Sequence, residues 1–189
     1  MRPEIYVLRH GQTEWNRDGL MQGHGNSPLT ALGRKQAARQ GEILRGLDLP
    51  RGVEAWSSPS GRAIETAGIA VAPLVRHVRT DDRLMEIGVG RGEGTSGAGL
   101  VELREAEGFG AWLDALGSMD GAEARGAFEA RIRDFLDCLR APAIVVCHGG
   151  TRLVLRAIHA GRDIDDLPEP GASQGSVLHL SAKGERWLT

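Results

Sequence analysis

Lysine is almost missing from this chain: only Lys35 and Lys183 stand among its 23 basic residues, and the arginines are scattered among 25 acids for a net charge of −2. No basic stretch results, which argues against nucleic acid or an anionic membrane as partner. Cysteine is equally scarce. Cys138 and Cys147 are the only two, and the second ends an apolar run, so a disulfide-free, cytoplasmic protein is expected. No apolar run approaches the roughly 20 residues of a membrane span, and the short stretch after Met1-Arg2-Pro3 stops at Arg9, so no targeting segment is expected. Internal repeats and low-complexity linkers are also missing. The 189 residues suit one domain, 1–189, with room for a substantial core.

Glycine, by contrast, is abundant at 27 residues, so motifs built of glycine alone arise by accident and need structural context. Gly92-Glu93-Gly94-Thr95-Ser96-Gly97 matches the dinucleotide fingerprint with no convincing strand before it. Gly171-Ala172-Ser173-Gln174-Gly175 matches a serine-hydrolase elbow, which needs a strand before and a helix after; here a proline-rich loop precedes and a strand follows. Both are read as coincidence.

The run Ile5-Tyr6-Val7-Leu8 is continuously apolar, as in a strand covered on both faces of a parallel sheet, and Ala143-Ile144-Val145-Val146-Cys147 repeats the pattern more strongly. Further short strands are expected at 53–56, 74–78 and 176–180. A helix should start at Thr30 and end near Gly46, with Leu32, Ile43 and Leu47 on its inner face. In Ser57-Ser58-Pro59 a serine can cap and the proline can take the first helical position, leaving Arg62 in the opening turn. Helices are expected at about 100–116, 123–140 and 151–160, while 88–99 is too glycine-rich for regular structure. Strands alternating with helices predict a three-layer α/β/α sandwich with a mostly parallel sheet.

Ligands of such sheets bind beyond the carboxyl ends of the strands. The sequence puts Arg9-His10-Gly11, the segment from Ser58 to Arg62, and His148-Gly149-Gly150 there. Two histidines and two arginines in one crevice suit a dianion, because guanidinium forks match phosphate oxygens and helix N-termini add backbone donors. Arg62 could instead merely pair with Glu65.

The stretch Leu8-Arg9-His10-Gly11-Gln12-Thr13-Glu14-Trp15-Asn16 closely resembles the opening motif of the histidine phosphatase superfamily, which includes the phosphoglycerate mutase-like proteins. The resemblance continues, in the family's order, through Gln22 to Thr30, Ser58 to Ala63, Arg83-Leu84-Met85-Glu86-Ile87 and Val146 to Gly150. It implies the phosphoglycerate mutase-like fold and a phosphohistidine mechanism: His10 as nucleophile, Arg9 and Arg62 as clamps on the phosphoryl oxygens, His148 completing the pocket, and Glu86 as proton donor, with Glu14 its nearest rival. Asn16, Gln22, Gly23 and Gly149 would bind substrate at its edge. His24 would rim the pocket, and His77, His159 and His179 are given no role. No spaced histidine and cysteine cluster is present, so no metal and no cofactor is expected. The partner should be a small phosphate monoester; the oligomeric state is left open.

Residues 92–122 should form a short insertion covering the pocket. Between Thr95 and Ala122 it holds Glu102, Glu105, Glu107, Asp114 and Asp120 against Arg104 alone, and the family's mutases carry a longer, more basic insertion. That contrast favours a phosphatase over a mutase, and over a weakly catalytic phosphate- or protein-binding relative. Two departures touch this region: Gly92 stands where many relatives have an aromatic residue, and Ala124 where serine is usual after Glu123. Both are expected to widen or loosen the pocket and to leave Glu86 on a mobile loop.

Overall fold

The computed structural model describes residues 2–168 and 174–189. Its sheet holds strands β1 (Ile5–Arg9), β2 (Glu54–Ser57), β3 (Arg79–Thr80), β4 (Ala143–Cys147), β5 (Val177–Ser181) and β6 (Gly184–Leu188) in the order β3-β2-β4-β1-β5-β6. The first four strands run parallel, β5 is antiparallel to β1, and β6 is antiparallel to β5. The sheet is therefore mixed at one edge. Helices among the described residues are α1 (Glu14–Arg17), α2 (Ala31–Arg45), α3 (Gly61–Ala70), α4 (Ala98–Gly117), α5 (Arg125–Cys138) and α6 (Gly149–Ala160). None is long and apolar enough to cross a membrane.

The unbroken apolar runs of β1 and β4 follow from burial on both faces. Alternation sends Ile5, Val7, Ala143, Val145 and Cys147 into one core, with the apolar residues of α4, α5 and α6. Tyr6, Leu8, Ile144 and Val146 enter the other core, with Leu44 of α2 and Ala63, Ala67 and Ala70 of α3. Helices thus cover both faces, and each fully buried aliphatic side chain contributes about 1.5–3 kcal/mol.

Several expected elements move. The inner face of α2 is Gly33, Ala37, Gln40, Gly41 and Leu44, whereas Leu32 is 49% exposed. Small residues win because α2 lies close on α3, where a side chain at Gly41 would meet the Ala70 carbonyl at 3.1 Å. The strand expected at 74–78 is instead the two-residue β3; Leu74, Val75 and Val78 pack on the core beside it. The α3 N-cap is Ser60, so Pro59 precedes the helix rather than opening it. Within 92–122, α4 is broken at Gly108, whose φ of +91° suits glycine, and Asp165 accepts the Gly110 N–H at 2.7 Å beyond the break. The glycine-only match at 92–97 follows a short 3-10 turn, Gly90–Gly92, not a strand. The serine-elbow match falls partly on 171–173, outside the described residues.

Candidate active site

Register assembles the centre of the site. Arg9 pairs with Cys147 and Val146 with Ser57 across adjacent parallel strands, so the next residues, His10, His148 and Ser58, emerge side by side at the carboxyl edge. The His10 N–H bonds the Cys147 carbonyl at 3.0 Å, and the two imidazole centroids are 5.1 Å apart. His10 Nδ1 lies 2.8 Å from the Gly11 carbonyl. A carbonyl only accepts, so Nδ1 carries the proton and Nε2 keeps its lone pair. Arg62 Nε donates to His148 Nδ1 at 3.2 Å, so His148 Nε2 carries the proton and bonds Ser58 Oγ at 2.8 Å. Burial holds both imidazoles well below their ordinary pKa, and the adjacent guanidiniums lower them further. Both rings are neutral at physiological pH.

The loop carrying His10 is held by backbone contact. A side chain at Gly11 would meet the Gly33 carbonyl at 2.2 Å, and one at Gly33 would meet the Gln12 carbonyl at 2.1 Å. Only a glycine at each position lets the start of α2 approach this loop.

Arg62 is 1% exposed. It gives Nη1 to the Gly25 carbonyl at 2.5 Å and Nη2 to the Gly23 carbonyl at 2.8 Å. With Nε on His148, three of its five N–H groups are used and two remain for a ligand. Burial pushes its pKa down to about 10, so the charge is kept. Glu65 pairs with Arg34, not with Arg62. Arg9 is likewise lowered by burial, and its Nε is buried without a hydrogen-bond partner among the described residues. One buried and one partly buried cation flank one imidazole, as a tetrahedral oxyanion requires.

Glu86 is pinned despite its glycine-rich surroundings. Its carboxylate accepts Gly150 N–H at 2.9 Å, Thr151 N–H at 3.0 Å and Ile87 N–H at 3.1 Å, closing the N-terminus of α6, where His148 offers no side-chain cap. Arg131 fixes the same loop through the Arg83, Met85 and Glu86 carbonyls. Glu14 is exposed on α1 and does not line the cavity.

Arg9, His10, Asn16, Gln22, Gly23, Arg62 and Glu86 line one cavity of about 150 Å³. His148 stands behind Arg62, and Gly149 packs on the Arg9 guanidinium. The Asn16 carboxamide closes a capping box with Thr13 and accepts from Gln174, and Gln22 Oε1 is buried without a partner among the described residues. His24 sits at the rim, 3.1 Å from the Glu86 carbonyl. His159 bonds the Pro3 carbonyl, His179 stacks on Tyr6 and pairs with Glu4, and His77 is exposed. Sequence reasoning missed Asn26, whose Oδ1 accepts the Arg62 N–H at 3.1 Å, and Gln174, which donates to the His10 carbonyl at 3.0 Å. Asn26 lay within a motif already singled out; no local signal marks Gln174. Among the described residues no group of three or more His, Cys, Asp or Glu side chains is placed to hold a metal ion.

Three expectations about the neighbouring segment need correction. The space beside Gly92 is filled, since a side chain there would meet Met119 Sδ at 2.5 Å and Met21 Cε at 3.3 Å. Ala124 is the N-cap of α5 and makes no side-chain cap bond, so its consequence is for that helix, not the pocket. The net charge of 95–122 does not describe the field in the site. Glu102, Glu105, Glu107, Asp114 and Asp120 are all exposed, whereas Arg104 turns inward to share a cavity with Arg9 and Glu86.

A family model described as "Histidine phosphatase superfamily (branch 1)" matches residues 5–189. A Hydrogenobacter thermophilus protein with the provisional name phosphoserine phosphatase 2 is 29% identical over 189 residues, covering 96% of this chain and 91% of that protein. A Salmonella choleraesuis protein provisionally named phosphoglycerate mutase GpmB is 33% identical over 157 residues, 77% of this chain and 69% of its own length. Among solved structures, an Escherichia coli protein provisionally titled an alpha-ribazole-5'-P phosphatase superposes with a TM-score of 0.77 at 26% identity, over 99% of this chain and 95% of that one. YhfR from Bacillus stearothermophilus gives 0.77 at 27% identity, over 97% and 94%.

Proposed function

The chain belongs to the histidine phosphatase superfamily, and from that premise we propose that it hydrolyses a small phosphate monoester, with His10 carrying the phosphoryl group from alcohol to water. One observation carries the reading: a buried neutral imidazole whose Nδ1–H is fixed on the Gly11 carbonyl, with the buried Arg62 guanidinium and the partly buried Arg9 guanidinium beside it. With Glu86 entering the cycle in its protonated form, His10 Nε2 attacks phosphorus in line, the bond from phosphorus to the ester oxygen breaks, and the alcohol leaves with the Glu86 proton. Water then attacks the phosphohistidine, its proton passes to Glu86, and the N–P bond breaks. Arg9 and Arg62 hold charge on the equatorial oxygens, each worth about 3 kcal/mol or more of transition-state stabilisation. His148, kept neutral by burial and by Arg62, completes the cradle; Asn16, Gln22, Gly23 and Gly149 shape its edge. Residues 92–122 cover the pocket within a single domain, 1–189, working in the cytoplasm without a metal.

The relatives' names support hydrolysis twice, through phosphoserine phosphatase 2 and alpha-ribazole-5'-P phosphatase. The name of the Salmonella relative favours a second reading, return of the phosphoryl group to a bound acid. Rapid quenching with labelled substrate in chelator tests the first reading: an acid-labile, base-stable adduct on His10 and release of inorganic phosphate are expected, and both should vanish in His10→Ala. An adduct elsewhere overturns the mechanism. Isomerisation of 3-phosphoglycerate in the presence of its bisphosphate, without net loss of phosphate, makes the mutase reading correct.

A further inference from the structure

A second cavity of about 190 Å³ shares Arg9, Glu86 and Trp112 with the one that holds His10, and its remaining walls include Arg104, Arg152, Arg156, Phe109 and Trp187. Four guanidiniums face one carboxylate there. Arg152 and Arg156 are only 8% and 1% exposed. They stand on successive turns of α6, on the face that starts at Gly149. Arg156 spends Nε and Nη2 on Glu185, and its Nη1 is buried with no partner among the described residues. Arg152 has no side-chain hydrogen bond or ion pair among the described residues; its guanidinium lies 4.8 Å from the centre of the Trp187 ring. A buried cation without a counter-ion costs several kcal/mol, a cost that an incoming anion removes.

We propose that this cavity is the alcohol subsite of the phosphatase and selects monoesters whose alcohol bears a second anion, a carboxylate or a phosphate. The inference rests on the hydrolytic reading above. Glu86, a wall of both cavities, stands where the ester oxygen joins the two halves of such a substrate. Size limits the alcohol: a cavity of about 150 Å³ holds a benzene ring, so 190 Å³ takes one ring or a short chain together with its anionic group. Trp112, Trp187 and Phe109 supply flat apolar walls for that body, Arg152 with Arg104 supplies the charge, and Arg156, already paired with Glu185, offers its Nη1 as a donor.

The test compares 4-carboxyphenyl phosphate and benzene-1,4-diol bisphosphate with phenyl phosphate, so that carboxylate and phosphate are separate arms. The anion-bearing esters should be preferred at least tenfold in kcat/KM. Arg152→Gln should remove that preference mainly through KM, and Arg104→Gln, on the half-exposed wall, should reduce it about threefold and serves if Arg152→Gln does not fold. Equal losses on all three esters, or a preference for phenyl phosphate, overturn the subsite. Benzoate binding to His10→Ala, followed by tryptophan fluorescence, separates the two failures. Binding weakened at least tenfold by Arg152→Gln without hydrolysis of any ester sinks the hydrolytic reading and keeps the subsite. Hydrolysis with benzoate binding indifferent to Arg152 and Arg104 does the reverse.

Discussion

α2 and α6 begin in opposite ways. α2 carries its own cap, Thr30, whose hydroxyl accepts the Gly33 N–H at 3.0 Å. α6 has none, and its free N–H groups at Gly150 and Thr151 go to Glu86, 64 and 65 residues away. α3 follows α6: Ser60 makes no cap bond, and the Arg62 N–H goes to Asn26, 36 residues away. α2 is thus closed by its own neighbour in sequence, whereas the two helices that point their N-termini into the site are closed by the site's own residues. Finishing those helices and assembling the pocket are therefore one event. A carboxylate at the α6 terminus also gains from the positive end of the helix dipole.

That contrast breaks first, and hardest, at Glu86. Glu86→Gln should lower kcat by about 100-fold or more and, by presenting an amide to N–H donors, cost about 1–3 kcal/mol of unfolding free energy. Steady-state kinetics and urea titration read the two separately; a fall in one alone shows that chemistry and closure are not joined. Acid comes next. His10 and His148 are buried neutral, with folded pKa values below the unfolded value of about 6.5. Below that pH the unfolded chain takes up protons that the folded one refuses. Stability should thus be flat above about pH 6.5 and fall by up to about 1.4 kcal/mol per pH unit for each histidine below it. Urea midpoints at several pH values should show this slope, reduced in His148→Gln; an unchanged slope would mean that other groups carry it. The smallest effects belong to the local ends. Thr30→Ala should cost about 1 kcal/mol while turnover stays within twofold. Ala124→Ser should add about 0.5–1 kcal/mol, raising Tm by roughly 1–4 °C, and a thermal scan decides it.

The same contrast explains what the sequence made legible. β1 and β4 are continuous apolar runs, so the strands and the positions of Arg9, His10 and His148 just past them could be read directly. Thr30 announced α2 because its partner is three residues on. β6 stayed hidden because Gly184-Glu185-Arg186-Trp187-Leu188 is a mostly polar edge strand. On α2, Ile43 and Leu47 do pack on the core, but Leu32 was misplaced because the close approach to α3 is made by glycine and alanine. Glu86 as a helix cap, and Arg152 and Arg156 as buried cations, depend on residues far off in the chain. For the two arginines a clue existed in Leu153-Val154-Leu155-Arg156-Ala157-Ile158, where apolar neighbours leave little solvent for a charge.

The Gly11 and Gly33 contact has a consequence for how such a molecule can diverge. Two stretches of main chain touch there, so enlarging either residue first forces a whole helix away from the loop that carries His10, and no single replacement offers a passable intermediate. The half of the cleft around His10 is thereby frozen against drift. Inheritable novelty must come from the opposite wall, where Arg104 and Trp112 can change one side chain at a time.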